Sequence, residues 1–277
     1  MTGVPGDVSP NRRSSGEEQM AFEREMTVLR EAERDRVAVG PISDLVPGGL
    51  SLEDAHAICE GNIQRRLDAG ETHVGYKVGF TNIPVRDKMG LPDSTYGYLL
   101  DGMIVDSGGR LEMTELIAPK IECEICFKLS GDLAGKGLTI EDVLKATAGV
   151  SASFEICDAR IRDWKCPYAD FFADNGFSAR VVLPGRWLPA DEVDLLGETV
   201  VLTQDGKQIA EGKGEMAMDH PANAVIWLAG KLADRGKGLK AGQIVMTGTL
   251  TPILSIEKGS TYVATFSSLG EVSKTFV

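Results

Sequence analysis

The sequence predicts an α/β (α+β) fold, in which a mixed sheet or β-roll carries a few helices on its outside. After residue 70, short runs rich in β-branched and aromatic residues recur to the C-terminus, as is typical of strands. Helical patterns interrupt these runs in two places, whereas a doubly wound sheet requires regular alternation of strands and helices. The residues before 70 show helical patterns instead. The chain therefore combines a small helical N-terminal section with a strand-rich body.

Composition and periodicity divide the chain into three parts. Residues 1–17 are rich in Gly, Pro, Ser and charged residues, which predicts a disordered tail. Residues 18–70 form the helical N-terminal section, with one helix from Glu18 to about Val37 and a second that ends near Gly70. Residues 71–277 form the strand-rich body, which is expected to carry any functional site.

Capping signals indicate where helices begin. Ser51 is followed three residues later by Asp54, and Thr139 by Asp142, which is the spacing of a capping box. A further helix begins at Pro221, since proline is favoured in the first helical turn. Two of these three helices lie within the strand-rich body, and they are the helices expected on the outside of its sheet.

The predicted strands cover residues 74–80, 121–129, 151–161, 180–183, 199–212, 244–249 and 261–277. Two pairs of residues within these runs are typical of hairpin turns, Asp205-Gly206 and Leu269-Gly270. The runs at 199–212 and 261–277 are therefore each expected to fold back on themselves.

Charge and cysteine content exclude several classes of function. The formal net charge is −12, which disfavours binding to nucleic acid or to anionic membranes. No apolar run approaches the roughly 18 residues that cross a bilayer, and residues 1–18 lack the apolar stretch of a secretion signal. We therefore expect a cytoplasmic protein. Its five cysteines are scattered and odd in number, so reduced thiols are expected.

Three glutamates form a candidate metal site. Strand alternation places Glu122 and Glu124 on one face of the run at 121–129, where the two carboxylates repel each other. Glu155 lies in a later strand, on the same face as the small residues Ser153 and Cys157. If these faces line a cavity, a hard cation such as Mg²⁺ neutralises them; if they are solvated sheet surfaces, no ion is needed. The spacing leaves both interpretations open.

Lys77 is a candidate acid or base. Alternation in the run at 74–80 places it on a face that Gly75 and Gly79 clear of side chains, so substrate has room to approach. Burial beside a metal would lower the pKa of this amine and fit it for proton transfer. The alternative is an edge-strand lysine that extends to solvent.

Several motifs, in this order, resemble one known family. They are GYKVGFT (75–81), P-x-I-E-x-E-I (119–125), FEICDARIRDW (154–164), ADN (173–175), DHPANAVIWLA (219–229) and AGQIVMTGTL (241–250). Together they resemble the 2-keto-4-pentenoate hydratase and 4-oxalocrotonate decarboxylase group of the fumarylacetoacetate hydrolase superfamily. The resemblance covers about residues 45–277. It implies that residues 71–277 are a catalytic domain with that family's mixed β-roll, or β-sandwich, fold.

The resemblance also implies roles for single residues. Glu122, Glu124 and Glu155 correspond to the family's metal ligands, for Mg²⁺ or alternatively Mn²⁺. Lys77 corresponds to an active-site lysine, and Asp174 of the ADN motif is the second candidate catalytic residue. The candidate substrate-binding residues are Thr81, Asn175, Phe177 and Thr249. For Asp174 and Asn175 a turn-stabilising role is the open alternative. Members of the family are homo-oligomers, so one is expected here.

The implied reaction is hydration of a 2-hydroxy-2,4-dienoate to a 4-hydroxy-2-oxo acid, as in the meta-cleavage catabolism of aromatic compounds. Decarboxylation of a 4-oxalocrotonate-like diacid and hydrolysis of an acylpyruvate are the alternatives on the same site. An inactive binding or scaffold protein is the alternative from another class. The chain departs from the hydratase pattern at Thr95, where an acid is common, and at Phe177, which would suit a bulkier and more apolar substrate tail.

Overall fold

The computed structural model describes residues 22–277, so the tail predicted for residues 1–17 lies outside the described residues. The α-helices are α1 (Glu23–Asp35), α2 (Leu52–Asp68), α3 (Ile83–Lys88), α4 (Ile140–Lys145), α5 (Tyr168–Ala173) and α6 (Pro221–Asp234). The strands are β1 (His73–Gly79), β2 (Thr95–Leu100), β3 (Ile104–Asp106), β4 (Arg110–Leu111), β5 (Lys120–Leu129), β6 (Thr147–Cys157), β7 (Ser178–Leu183), β8 (Thr199–Gln204), β9 (Lys207–Lys213), β10 (Ile244–Thr249), β11 (Leu254–Ser255), β12 (Thr261–Phe266) and β13 (Gly270–Phe276).

The larger sheet has the order β2-β1-β10-β5-β6-β7-β3, with β11 paired to β5. It is mixed: β1 runs parallel to β10, and β3 parallel to β7, whereas β5 is antiparallel to both β10 and β6. Its central strands are buried on both faces. The strands that carry the candidate site residues are therefore neighbours in this sheet.

The smaller sheet has the order β4-β13-β12-β8-β9, and its β13 packs against β6 and β7 of the larger sheet. The predicted hairpin turn at Asp205-Gly206 joins β8 to β9, and both residues have positive φ, of 50° and 80°. The hairpin predicted within 261–277 is formed by β12 and β13. The two sheets and the helices outside them confirm the predicted mixed fold.

The capping predictions are confirmed. Ser51 Oγ accepts a hydrogen bond from the Asp54 N–H at 3.1 Å, and Thr139 forms a capping box with Asp142. Helix α2 packs on α1 and α5, and α6 packs on β10. Helix α2 of the N-terminal section contacts α5 of the strand-rich body. The domain boundary near residue 70 stays a prediction.

Several short elements were not predicted, namely helices α3 and α5 and strands β2, β3, β4 and β11, and one predicted strand is shorter than expected. Strand β2 was not predicted, because all six of its residues are buried and its sequence therefore lacks the alternation of a half-exposed strand. The strand predicted for 151–161 ends at Cys157. After Cys157 the chain leaves the sheet. The carboxylate of the next residue, Asp158, accepts hydrogen bonds from the N–H groups of Ile117 and Ala118, at 2.8 and 2.7 Å.

Candidate active site

The register of three neighbouring strands brings distant acidic residues together. Glu122 on β5 lies directly opposite Glu155 on β6. Glu124 lies opposite Ser153 on one side and opposite Thr249 of β10 on the other. Because directly opposed residues in a sheet point to the same face, Glu122 and Glu155 share a face, and strand alternation places Glu124 on that face as well.

The tightest group in this cluster consists of Glu122, Glu155 and Cys157, whose ligand atoms all lie within 4.8 Å of one another. Cys157 Sγ lies 3.4 Å from Glu122 Oε2. Glu124 is outside this group, although it is fully buried beside it. One of its oxygens, Oε2, accepts a hydrogen bond from the Gly248 N–H at 2.8 Å.

Lys77 completes the cluster from β1. It is buried, and its Nζ lies 3.2 Å from Glu155 Oε2, although the two atoms do not meet the angular requirements of a hydrogen bond. The alternative in which this lysine extends to solvent is therefore wrong. Gly79 clears space beside this lysine as predicted, because a Cβ there would lie 3.4 Å from Lys77 Nζ. Gly75 does not, because a Cβ there would meet the Ile244 backbone, and the second glycine beside the lysine is Gly176, where a Cβ would lie 3.2 Å from Lys77 Cε.

The net charge of the cluster and its carboxylate oxygens without hydrogen-bond partners indicate whether it can hold a metal ion. Three carboxylates face one ammonium group in a buried space, and Glu124 Oε1 and both oxygens of Glu155 have no hydrogen-bond partner among residues 22–277. Burial raises the pKa of Glu122 to about 7, and Glu155 adds to this shift while Lys77 opposes it. Buried oxygens without partners are costly, and hard divalent cations bind such oxygens. The residues therefore fit a divalent cation.

Burial and the neighbouring acids act on the pKa of Lys77 in opposite directions. Burial lowers the pKa of the amine, but the surrounding acids, Glu155 foremost, raise it by more, and the result lies above its ordinary value. The lowered pKa predicted for this lysine applies beside a bound metal and stays a prediction. A divalent cation bound by those acids would neutralise their charge and remove most of the upward shift in the pKa of Lys77.

A cavity of about 450 Å³ opens above the cluster. Five of the predicted site residues line it: Lys77, Thr81, Glu122, Phe177 and Thr249. The Thr81 hydroxyl is buried without a hydrogen-bond partner in the described part of the chain, so it is available to a ligand. The Thr249 hydroxyl donates to the carbonyl of Thr251 at 2.8 Å.

Asp174 and Asn175 do not line this cavity. The Asp174 carboxylate pairs with Arg160, accepting from its guanidinium Nε and, at 2.9 Å, from its backbone N–H. The Asn175 side chain accepts from the Tyr98 N–H at 2.7 Å and donates to the Tyr98 carbonyl at 2.9 Å. The geometry favours the turn-stabilising alternative for both residues.

Several residues that line the cavity were not predicted as site residues. Cys157 follows Glu155 by two positions, so strand alternation indicated its orientation, but it was interpreted as a small neighbour. Trp164 lines the cavity while its indole N–H donates to the Ala118 carbonyl at 3.1 Å. Lys120 also lines the cavity, with its Nζ 4.2 Å from the centre of the Trp164 ring. Phe80 and Phe171 complete the aromatic wall.

Comparisons with known proteins agree with this fold and site. Residues 82–277 match the family model described as fumarylacetoacetate (FAA) hydrolase C-terminal. The chain is 36% identical over 248 residues to a 2-keto-4-pentenoate hydratase of Burkholderia vietnamiensis, covering 90% of this chain and 94% of the relative. It is 34% identical over 250 residues to a 2-hydroxyhexa-2,4-dienoate hydratase of Comamonas testosteroni, with the same two coverages.

A solved structure is similar over nearly its whole length. The 4-oxalocrotonate decarboxylase of Pseudomonas putida G7, in complex with magnesium and adipate, superposes with a TM-score of 0.86 at 31% identity. The match covers 92% of this chain and 98% of the decarboxylase. A second structure of the same enzyme, with calcium and acetate, gives a TM-score of 0.88.

A mixed β-roll with buried carboxylates beneath a cavity is typical of a metal-dependent enzyme. The comparisons identify the family to which this enzyme fold belongs. The chain belongs to the fumarylacetoacetate hydrolase family. Its relatives described above are two dienoate hydratases and one decarboxylase, so both the predicted family and the predicted fold are confirmed.

Proposed function

We propose that the protein is a magnesium-dependent hydratase that adds water to a 2-hydroxy-2,4-dienoate, giving a 4-hydroxy-2-oxo acid. The observation that carries the proposal is a cluster of three carboxylates beside Lys77 at the base of a cavity. Glu122 is half-buried, whereas Glu124 and Glu155 are buried and have oxygens that lack partners in the described residues. The names of its relatives support the choice of hydration.

Glu122 and Glu155 would hold the metal ion directly, with Glu124 beside them. A divalent cation held by these residues would supply Lewis-acid chemistry to a 2-oxo acid. Magnesium is the ion that we propose, because the donors are mostly carboxylate oxygens and the similar decarboxylase is in complex with magnesium. Manganese is the alternative for the same donors.

Lys77 is the proposed proton carrier. Lys77 lines the cavity, and its Nζ lies 3.2 Å from Glu155 Oε2. We propose that Nζ helps move the proton of the 2-hydroxyl group to the remote end of the diene, which leaves an α,β-unsaturated ketone. Water then adds to the carbon that is β to this ketone, and the apolar walls limit other water near the reacting atoms.

Decarboxylation of a 4-oxalocrotonate-like diacid is the second candidate function. The overall similarity to the decarboxylase favours it, since the two chains superpose over 92% of this one. Loss of CO₂ and hydration begin from the same kind of substrate oxygens, so the acidic cluster suits both. Only a product assay separates them.

An activity assay tests the proposal. With Mg²⁺ present, the purified chain should remove the ultraviolet absorbance of 2-hydroxypenta-2,4-dienoate and yield 4-hydroxy-2-oxopentanoate by mass spectrometry. Chelation of the metal should abolish this activity, and added Mg²⁺ should restore it. Faster release of CO₂ from 4-oxalocrotonate would favour the decarboxylase, and turnover of neither substrate would contradict an enzymatic role at this site.

Metal binding is tested separately. Glu122→Gln should weaken Mn²⁺ or Mg²⁺ binding in calorimetry by at least about 100-fold, because it removes one charged ligand. Without metal the same variant should melt at an equal or higher temperature, since it relieves repulsion with Glu155. The control is Glu271→Gln, an exposed glutamate on β13. Equal metal affinity of the two variants would contradict the site.

A further inference from the structure

The mouth of the cavity exposes large hydrophobic side chains. In residues 22–277, seven large hydrophobic residues are exposed to solvent, and four of these line this one cavity. The four are Val85, Met89, Met216 and Ile253, which are exposed by between 39% and 55%. They come from three separate parts of the chain, because Val85 and Met89 lie one helical turn apart. Their gathering at one opening is therefore a property of the tertiary structure. An exposed apolar patch of this kind indicates a binding surface.

Aromatic rings continue the apolar surface inward. The Phe80 ring lies edge-on to Phe171, with centroids 4.8 Å apart, and Phe171 lies 4.8 Å from Phe177. Phe177 in turn contacts Trp164 at 5.2 Å. These four rings line the cavity as one continuous row. Apolar contact is therefore available from the mouth of the cavity to its interior.

Few charged groups line the cavity, and none of them belongs to its hydrophobic rim. Of the described residues that line it, three are charged: Lys77, Lys120 and Glu122. Lys77 lies against Glu155, and Lys120 is two residues from Glu122 on the same face of β5, with its ammonium over the Trp164 ring. The rim thus offers no cation for a second carboxylate in the described residues, whereas the base offers groups for the first.

The cavity is also larger than a short acid requires. Its volume of about 450 Å³ lies within the range of pockets that enclose drug-sized molecules. A five-carbon dienoate held at the acidic cluster would leave the aromatic row and the apolar rim in contact with water. Such contact is unfavourable, and a longer apolar substrate would remove it.

From these observations we infer that the substrate carries an extended alkyl or aryl group at the end remote from its 2-oxo acid. The acid end binds at the carboxylate cluster, and the apolar end lies along the Phe80–Phe171–Phe177–Trp164 row and leaves through the hydrophobic rim. Short dienoates and diacids are then poorer substrates. This inference rests on the proposed function, since it concerns the substrate of the same site.

A matched series of substrates tests the inference. The series is 2-hydroxypenta-2,4-dienoate, derivatives with alkyl or phenyl groups at the remote carbon, and the derivative with a carboxylate there. Each buried methylene should raise kcat/KM about fourfold, and a phenyl group by at least about tenfold. Equal or higher kcat/KM for the five-carbon acid or for the diacid would overturn the inference.

Variants of the rim locate the effect. Met89→Ser and Ile253→Ser should each lower the ratio of kcat/KM between the phenyl and the five-carbon substrates several-fold. The control is Leu196→Ser, which alters an exposed hydrophobic residue outside the cavity and should leave the ratio unchanged. If the rim variants change the molecular mass in light scattering and leave the ratio unchanged, the rim is a contact between copies and the inference fails.

A binding experiment keeps this result distinct from the proposed function. The Mn²⁺-loaded protein is titrated in calorimetry with pyruvate and with 2-oxo acids that bear alkyl or phenyl tails. Tighter binding of the tailed acids, reduced by Met89→Ser and not by Leu196→Ser, supports the apolar subsite even where no dienoate is turned over. Turnover of dienoates without any preference for tails supports the function and overturns the inference.

Discussion

At the scale of single residues, Gly248 illustrates how the backbone shapes the site. It lies between Met246 and Thr249, where the pairing of β10 with β5 shifts register. Its φ is +95°, a conformation that favours glycine, and its N–H donates to the Glu124 carboxylate. A Cβ at this position would lie 1.9 Å from Thr81 Oγ1. One glycine therefore permits the bulge, holds Glu124 and leaves room for Thr81.

Gly248→Ala should lower the free energy of unfolding by about 3 kcal/mol or more, because backbone strain and a steric clash add together. Chemical denaturation measures this loss. The matched control is Gly242→Ala, which has a φ of +87° but no atom within 4 Å of the added Cβ, and should cost about 1 kcal/mol. Equal losses for the two variants would show that the contact with Thr81 has no energetic consequence.

At the scale of elements, the connection between β2 and the turn after α5 was not foreseen. Asn175 has positive φ and lies beside β2, where its side chain satisfies both the N–H and the carbonyl of Tyr98. Gly97 permits this approach, since a Cβ there would lie 2.3 Å from the Asn175 carbonyl oxygen. The same turn leads into Gly176 and Phe177 of the cavity wall. Asn175 therefore links a strand to the wall of the site.

Asn175→Ala should lower the free energy of unfolding by about 2 to 3 kcal/mol, because two backbone groups of Tyr98 lose their partners. Urea denaturation measures the change. Asn223→Ala is the control, since Asn223 donates one bond to the Met218 carbonyl at 2.8 Å and should cost about 1 kcal/mol. A higher KM with unchanged stability would instead support the substrate-binding role that the family resemblance implies.

At the scale of the whole molecule, histidine burial links stability to pH. His56 of α2 stacks on Tyr96 with centroids 5.3 Å apart, and it also contacts Phe172. Burial lowers the pKa of this imidazole from 6.5 to about 4, and Arg235 adds to the shift. The unfolded chain therefore binds a proton at a higher pH than the native protein does. The contribution of His56 is complete above pH 6.5 and is lost as the pH falls toward 4.

When the pH falls from 7 to 5, protonation of His56 in the unfolded chain should lower the free energy of unfolding by about 2 kcal/mol. His56→Phe keeps an aromatic ring against Tyr96 and cannot take up the proton. Its melting temperature should therefore fall less between pH 7 and pH 5 than that of the unaltered protein, as differential scanning calorimetry would measure. The same pH dependence in both proteins would assign the acid sensitivity to other groups.

Association of copies is another property of the whole molecule, and the predicted homo-oligomer stays a prediction.

Among the helices of residues 22–277, none has the length together with the apolar composition that crossing a bilayer requires. All five cysteines are free thiols, as expected from their number and spacing.

The sequence by itself determined the properties that depend on neighbours along the chain. Strand alternation oriented Glu122 and Glu124 correctly, Ser51 and Thr139 cap helices as predicted, and Asp205-Gly206 forms its hairpin turn. Each of these features follows from side-chain periodicity or from backbone preferences over a few residues. The motifs that identified the family are local in the same sense.

Only the tertiary structure decided which distant residues meet. Sheet register placed Glu155 opposite Glu122, set Glu124 outside the tightest group, and brought Cys157 into that group. Folding also paired Asp174 with Arg160 and gathered the apolar rim from segments that are far apart in the sequence. Strand order and register depend on contacts between residues far apart in the chain, and no local pattern contains that information.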